Sequence, residues 1–156
     1  MAEPESIMVV TPHPDDSESA AGGTIAKWCA EGKKVTLVVC TNGDKGTSDR
    51  SINPVDLAKT REKETLEAAR VYGLAGVEFL RFPDQALDDT TEFRERLVWA
   101  IRKHKPDLFM CIDPGRPYIR HRDHYYSGRV ALDAVFPYSR DHLAFPEHLD
   151  AGLEPH

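Results

Sequence analysis

The sequence predicts an α/β protein: a Rossmann-like, three-layer αβα sandwich built on a mostly parallel sheet. Short apolar runs rich in β-branched residues alternate along the chain with longer segments of helical periodicity. At this spacing a strand, a crossover helix and the next strand form right-handed βαβ units. The chain has 156 residues, of which 40% are hydrophobic, so it is long enough for one domain with its own core.

Four strands and four helices are predicted in alternation. The strands are residues 7–10, 35–40, 77–82 and 108–112, and the helices are residues 17–30, 56–72, 92–104 and 124–135. Valine, isoleucine and aromatic residues, which favour strands, are concentrated in the strand segments. Gly32 and Gly73 follow the first two helices, where glycine commonly ends a helix.

Each predicted strand is followed by a polar segment. These segments contain Asp, Asn or His and comprise residues 13–16, 42–44, 83–84 and 113–124. Parallel strands end at one edge of their sheet, and open α/β sheets bind ligands at that edge. We therefore expect the four segments to converge on a single crevice.

The stretch His13 to Ser17 places one imidazole beside two carboxylates. Prolines on both sides of His13 restrict its backbone. Histidine and aspartate are ligands for zinc or ferrous iron, and a carboxylate that does not bind the metal can act as a general base. The alternative is an N-cap, in which Asp15 or Ser17 accepts the first free N–H groups of the helix. That alternative leaves His13 unexplained.

A second group, residues 121–124 (HRDH), opens the last predicted helix. His121 and His124 are three residues apart and therefore share one face of a helix. Together with the first stretch they exceed the three protein ligands of a catalytic zinc, which leaves one histidine for chemistry. Asp123 can fix the tautomer of a neighbouring histidine.

Taken together, these motifs resemble the LmbE-like (PIG-L) zinc-dependent N-deacetylases over residues 7 to about 136. The resemblance rests on motifs in the family's order: His13-Pro14-Asp15-Asp16, Gly22-Gly23-Thr24, Thr41-Asn42-Gly43-Asp44-Lys45-Gly46, Arg61-x-x-Glu64, Phe82-Pro83-Asp84 and His121-x-Asp123-His124. Each motif alone is weak, whereas the combination is specific.

The resemblance implies a metal centre and a base. His13, Asp16 and His124 would bind the metal, which would be Zn²⁺ with Fe²⁺ as an alternative. Asp15 would be the general base. The metal would polarise the amide carbonyl and lower the pKa of its bound water.

The resemblance also implies roles for residues around the metal. His121, oriented by Asp123, would stabilise the oxyanion or protonate the leaving group. The proton for the departing amine would come from Asp15 or from His121. The residues expected to contact substrate are Arg61, Asp84 and Asn42.

The function implied is the hydrolytic removal of an acetyl group from an N-acetylated amino sugar or sugar conjugate, a cut at a linear amide C–N bond. One alternative is an amidase that cleaves a larger sugar–thiol conjugate with the same metal site. Another is a metal- or sugar-binding remnant without catalysis. Tyr118, Tyr125 and Tyr126 flank the expected site and could stack on a sugar, although packing explains them equally well.

Composition restricts the partners. The net charge is −6 with no basic face in the sequence, which disfavours nucleic acid. No apolar run approaches the ~20 residues that cross a bilayer, and the acidic N-terminus lacks a signal-peptide core. We therefore expect a cytoplasmic protein with a small-molecule substrate. The resemblance also implies that the chain could form a homo-oligomer.

The chain departs from the family pattern in three places. Ser17 stands where relatives usually carry Glu, and Arg122 stands where proline is common between the second motif's His and Asp. Relatives also continue past the position of His156 with further strands. We therefore expect residues 1–136 to form the deacetylase core and residues 137–156 to begin a truncated C-terminal region.

Overall fold

The computed structural model describes residues 3–116 and 121–156 and confirms the predicted α/β fold class. In these ranges four parallel strands form one sheet in the order β3-β2-β1-β4. The strands are β1 (Ser6–Thr11), β2 (Lys34–Thr41), β3 (Gly76–Phe82) and β4 (Leu108–Met110). The helices are α1 (Asp16–Ala30), α2 (Pro54–Tyr72), α3 (Thr91–His104), α4 (Arg122–Asp133) and α5 (Glu147–Asp150), with a π-helical turn at Ala134–Tyr138 after α4.

The helices cover both faces of the sheet, which gives the three layers. Along β1 successive side chains point to opposite faces, as they do in any strand. Ile7 and Val9 pack with side chains of α1 and the end of α2, whereas Met8 and Val10 pack with side chains of α3 and α4. Because β1 lies between two other strands and is covered on both faces, its C-terminal end is a rigid base for the loop that follows.

Most predicted boundaries differ from the structure by one or two residues, and two of the differences affect the site. Helix α4 begins at Arg122, two residues earlier than predicted, because His121 occupies the N-cap position and its side chain accepts a hydrogen bond from the N–H of Asp123. Strand β4 ends at Met110 rather than at Ile112, and the residues after it lie against Gly128 of α4. Among the described helices, none is long and apolar enough to cross a membrane.

The segment after residue 136 folds back onto α3. Arg102, on α3, is fully buried. Its guanidinium donates hydrogen bonds of 2.9–3.2 Å to five main-chain carbonyls, those of Tyr138, Ser139, Asp141, Ala144 and Phe145. The buried His148 adds a contact of 2.8 Å to Glu95. These bonds attach the last twenty residues to the same domain as the sheet.

The position of α4 depends on Gly128. A Cβ at this glycine would lie 2.2 Å from the carbonyl oxygen of Ile112 and 3.0 Å from Pro114, so helix and loop meet backbone to backbone. Backbone atoms cannot move aside as a flexible side chain can. Gly128 thus fixes the distance between α4, which carries His124, and the end of β4.

We predict that Gly128→Ala lowers the free energy of unfolding by about 2–3 kcal/mol, the cost of forcing an extra carbon into a packed contact. Gly23→Ala is the matched control, because Gly23 lies in α1 with nothing within 4 Å of an added Cβ. The control should raise stability by up to about 1 kcal/mol, the difference in helix propensity. Urea unfolding of both variants measures the two effects, and equal stabilities would contradict the role of Gly128.

Candidate metal centre and active site

The polar segments converge on one cleft at the C-terminal edge of the sheet. The cleft has a volume of about 170 Å³ and is lined by residues from all the predicted segments except 42–44: His13, Asp15, Gly46, Arg61, Asp84, Gln85, His121 and His124. The parallel sheet produces this convergence because β1, β3 and β4 all end on the same side.

His13 is the centre of the site. It is only 8% exposed. Its Nδ1 lies 2.9 Å from Asp16 Oδ2, and its Nε2 lies 3.1 Å from Asp84 Oδ1 and 3.1 Å from Asp123 Oδ2. Burial alone lowers the pKa of His13, but the contacts with these three carboxylates outweigh burial and raise it.

Asp16 joins the two motifs that were predicted to share a metal. Its Oδ2 accepts a hydrogen bond from the backbone N–H of His13 at 3.1 Å and lies 3.3 Å from His124 Nε2. Burial raises the pKa of Asp16, but the contacts with His124 and His13 are stronger and hold this pKa well below its usual range. Asp16 is therefore a carboxylate shared between two imidazoles.

Asp123 does not orient His121 in the way we expected. Its carboxylate, which is fully buried, contacts His13 and accepts hydrogen bonds from the backbone N–H groups of Gln85 at 2.6 Å and Leu87 at 3.0 Å. The sequence prediction put this carboxylate beside the wrong histidine, because α4 starts earlier than predicted and turns Asp123 inward. The link to His121 runs instead through the Asp123 backbone N–H.

His121 is exposed on the wall of the cleft. Its Nδ1 accepts the hydrogen bond from the Asp123 N–H at 3.2 Å. A neutral imidazole that accepts at Nδ1 carries its proton on Nε2, so Nε2 is a donor. The ring lies edge-on to His13, with 4.8 Å between ring centroids.

Asp15 presents an exposed carboxylate to the cleft, with 76% of the side chain accessible. It occupies the N-cap position of α1 with a φ of +87°, and its side chain makes no capping hydrogen bond. Ser17 donates instead to Glu18 at 2.6 Å. The N-cap alternative therefore does not account for the carboxylate of Asp15, and its left-handed backbone is the kind of strain that functional sites retain.

Arg61 holds Asp15 in place. Its guanidinium donates to Asp15 Oδ2 at 3.0 Å and to the carbonyls of Pro14 at 2.8 Å and Gly43 at 3.2 Å. A Cβ at Gly43 or Gly46 would lie within 2.8 Å of the Arg61 guanidinium, which explains both glycines. Arg61 lines the cleft as predicted for a substrate contact, but most of its donors are used to fix the loop of the base.

The two remaining predicted substrate contacts differ in position. Asp84 lines the cleft but is 3% exposed, and its Oδ2 accepts from the Lys45 N–H at 3.1 Å. Asn42 does not line the cleft. Its side chain accepts from the Asp44 N–H at 3.2 Å and so shapes the loop behind the site. For the tyrosines, Tyr118 lies outside the described residues, and Tyr125 and Tyr126 pack against each other.

Two sets of donor atoms could hold a metal ion: His13, His121 and His124 in one, and His13, Asp84 and Asp123 in the other. In the second set, backbone N–H groups and His13 Nε2 already occupy the carboxylate oxygens, so this set is a hydrogen-bonded network. Carboxylates that bind Nε2 leave Nδ1 of His13 as the ligand nitrogen. The Nδ1 of His13 faces Asp16, and Asp16 also contacts the Nε2 of His124. The other ring nitrogen of His124, Nδ1, is buried without a partner among the described residues. The first set, His13, His121 and His124, is therefore the one that fits a divalent metal, and the carboxylate of Asp16 lies against two of its members.

The chain belongs to the PIG-L family (GlcNAc-PI de-N-acetylase), whose model matches residues 8–135. It is 34% identical to the diacetylchitobiose deacetylase of Thermococcus kodakarensis, over 97% of this chain and 57% of the relative. It is also 34% identical to the 1D-myo-inositol 2-acetamido-2-deoxy-alpha-D-glucopyranoside deacetylase of Mycobacteroides abscessus, over 83% of this chain and 54% of the relative.

A solved structure shows the same fold. The N,N'-diacetylchitobiose deacetylase from Pyrococcus horikoshii, complexed with its inhibitor MPG, superposes with a TM-score of 0.95 at 35% identity. The match covers 98% of this chain and 57% of that chain. The chain thus spans somewhat more than half the length of the relatives that it matches.

We predict that Asp123→Ala lowers the free energy of unfolding by about 3 kcal/mol, because it leaves the N–H groups of Gln85 and Leu87 without their acceptor and removes one of the two carboxylates on His13 Nε2. Asp107→Ala is the matched control. The Asp107 carboxylate also accepts two backbone N–H groups, those of Glu5 and Ser6, but it is exposed, so water can replace it. The control should lose much less stability in urea unfolding. Similar losses in the two variants would contradict the buried role of Asp123.

Proposed function

We propose that this chain is the core of a metal-dependent hydrolase that removes the acetyl group from an N-acetylated amino sugar or sugar conjugate. One observation carries the proposal: the exposed carboxylate of Asp15 and the exposed imidazole of His121 line the same cleft as the metal donor set of His13 and His124. A base, a hydrogen-bond donor and metal ligands around one space are the groups that amide hydrolysis requires.

His13, Asp16 and His124 would hold the metal, with zinc as the proposed ion and Fe²⁺ as the alternative that the same ligands accept. When bound, the ion would polarise the amide carbonyl and make water acidic enough to attack near neutral pH. Asp84 and Asp123 would keep the proton of His13 on Nε2, which leaves Nδ1 free to bind the ion.

Asp15 would take the proton of the attacking water. Arg61 bonds to Oδ2, and no donor among the described residues bonds to Oδ1, so Oδ1 can accept a proton. The guanidinium also holds the carboxylate in one position, which is what a general base requires. A carboxylate on a mobile side chain would lose this alignment.

His121 would donate from Nε2 to the oxygen that becomes negative when the amide carbonyl is attacked. The hydrogen bond from the Asp123 N–H to Nδ1 favours the tautomer that this role needs. The departing amine would receive its proton from Asp15, which gained one in the attack, or from His121.

The substrate class is proposed from the relatives. Their names specify deacetylation of diacetylchitobiose and of an acetamido-deoxy-glucopyranoside, both of which carry an acetylated amino group on a sugar. The amidase alternative uses the same site with a longer acyl or sugar–thiol group. Turnover measured over a panel of acyl groups distinguishes the two.

We predict that the chain binds about one equivalent of zinc, and that His124→Ala weakens zinc binding by at least about 100-fold, because the variant lacks one ligand. His142→Ala is the control, since His142 is exposed in the C-terminal segment. Competition with a chromogenic chelator measures the affinities. Unchanged zinc affinity in His124→Ala would rule out the proposed ligand set.

We predict that Asp15→Asn reduces amine release from an N-acetylglucosamine derivative by about 100-fold or more, the usual contribution of a general base. Zinc content should not change, and asparagine also tolerates the left-handed backbone at this position. Asp49→Asn, in an exposed loop, is the matched control and should keep wild-type activity. Full activity in Asp15→Asn would show that another group is the base.

Metal binding without amine release in the wild-type chain would support the non-catalytic alternative instead. Release of an acyl group other than acetyl, with no acetate from amino sugars, would support the amidase.

A further inference from the structure

Gln85 has a backbone conformation that an L-residue rarely adopts, with a φ of +61°. The segment around it is held by the first turn of α4. Asp123 accepts from the N–H groups of Gln85 and Leu87, and Arg122 Nε donates to the Leu87 carbonyl at 2.9 Å. Arg122 also pairs with Asp88 at 2.9 Å. The left-handed turn at position 85 is therefore fixed by these contacts, whichever side chain it carries.

The side chain of Gln85 stands on the wall of the cleft. It is exposed, and its carboxamide makes no hydrogen bond with any residue in the ranges 3–116 and 121–156. Its charged neighbours are already paired: Asp15 binds Arg61, and Asp84 binds His13. Gln85 thus brings to the cleft a neutral polar group with its donors and its acceptor unused.

Glycine would adopt this backbone conformation without strain, whereas glutamine does so at a cost. In this backbone conformation the Gln85 carboxamide stands at the wall of a polar cleft. A carboxamide offers two N–H donors and a carbonyl acceptor, so it can bind a hydroxyl group in either sense. Hydroxyl groups on a ring are what distinguish a sugar amide from a simple amide.

We propose that the Gln85 carboxamide hydrogen-bonds a ring hydroxyl of the amino sugar and selects sugars over other acetamides. This inference rests on the proposed function and names the residue that would recognise the sugar. The contact exists in the bound substrate and in the transition state alike, so its loss raises KM and leaves kcat nearly unchanged.

The test compares Gln85→Gly with wild type on two substrates: an N-acetylglucosamine derivative and N-acetylcyclohexylamine, which has a ring without hydroxyls. For the sugar, KM should rise about five- to tenfold, as expected for one neutral hydrogen bond, with kcat within about twofold. For N-acetylcyclohexylamine, KM should not change. Thermal stability should stay the same or rise, because glycine relieves the left-handed strain.

Lys105→Gly is the matched control, because Lys105 also has a positive φ, +45°, and lies at the C-cap of α3 rather than on the cleft. It should change neither KM. Gln85→Asn keeps a carboxamide that is one methylene shorter and should give a KM between those of wild type and Gln85→Gly. An equal rise of KM for both substrates, or no rise for the sugar, would overturn the proposal.

Failure of the proposed function gives a different result. If the zinc-loaded wild type releases no amine from either substrate, hydrolysis is contradicted, and calorimetric titration with the N-acetylglucosamine derivative then decides the role of Gln85. A five- to tenfold weaker Kd in Gln85→Gly supports it. An unchanged Kd, or no binding to wild type, overturns it.

Discussion

The structure of the site depends on one buried imidazole. His13 lies two residues after β1, an inner strand of the sheet, and its two ring nitrogens contact the carboxylates of Asp16, Asp84 and Asp123. A buried ring among three acids is stable only if each acid also has other partners, since unpaired buried charge is costly. Those partners are His124 for Asp16, the Lys45 N–H for Asp84, and the N–H groups of Gln85 and Leu87 for Asp123. The contacts of His13 therefore hold three separate elements of the chain around one cleft.

This constraint explains local features that otherwise look like separate irregularities. The segment after β3 takes a left-handed turn at Gln85 because two of its N–H groups must reach Asp123. The loop after β2 contains Gly43 and Gly46 because Arg61 crosses it to reach Asp15. Each irregularity provides a hydrogen bond that a regular helix or strand could not. The sheet is also irregular near this edge: Arg81, close to the end of β3, has a φ of +58°, and the pairing of β2 with β3 shifts register between Val39 and Thr41.

The sequence predicted the parts of this arrangement that follow from periodicity. Alternating strands and helices predicted the parallel sheet, and the position of polar segments after strands predicted that His13, Asp84 and His124 would meet. It did not predict that the Asp123 carboxylate contacts His13, since α4 starts earlier than predicted, nor that it accepts from Gln85 and Leu87, since no glycine marks the left-handed turn at Gln85. It did not predict that Arg61 bonds to two backbone carbonyls, because side-chain to main-chain bonds across loops leave no periodic signal. The available signal was the pair Gly43 and Gly46, because two glycines in one short loop indicate that another group packs closely against its backbone.

We propose that Asp84 and Asp123 hold His13 by Nε2 so that its Nδ1, with Asp16 and His124, would bind the metal. A crystal structure of the zinc-loaded chain, with anomalous diffraction measured at the zinc edge, tests this directly. We expect one anomalous peak, coordinated by His13 Nδ1, Asp16 and His124, with His121 not bound to it. A peak coordinated by His13 Nε2 with Asp84 and Asp123, or by His121 in place of Asp16, would contradict the account.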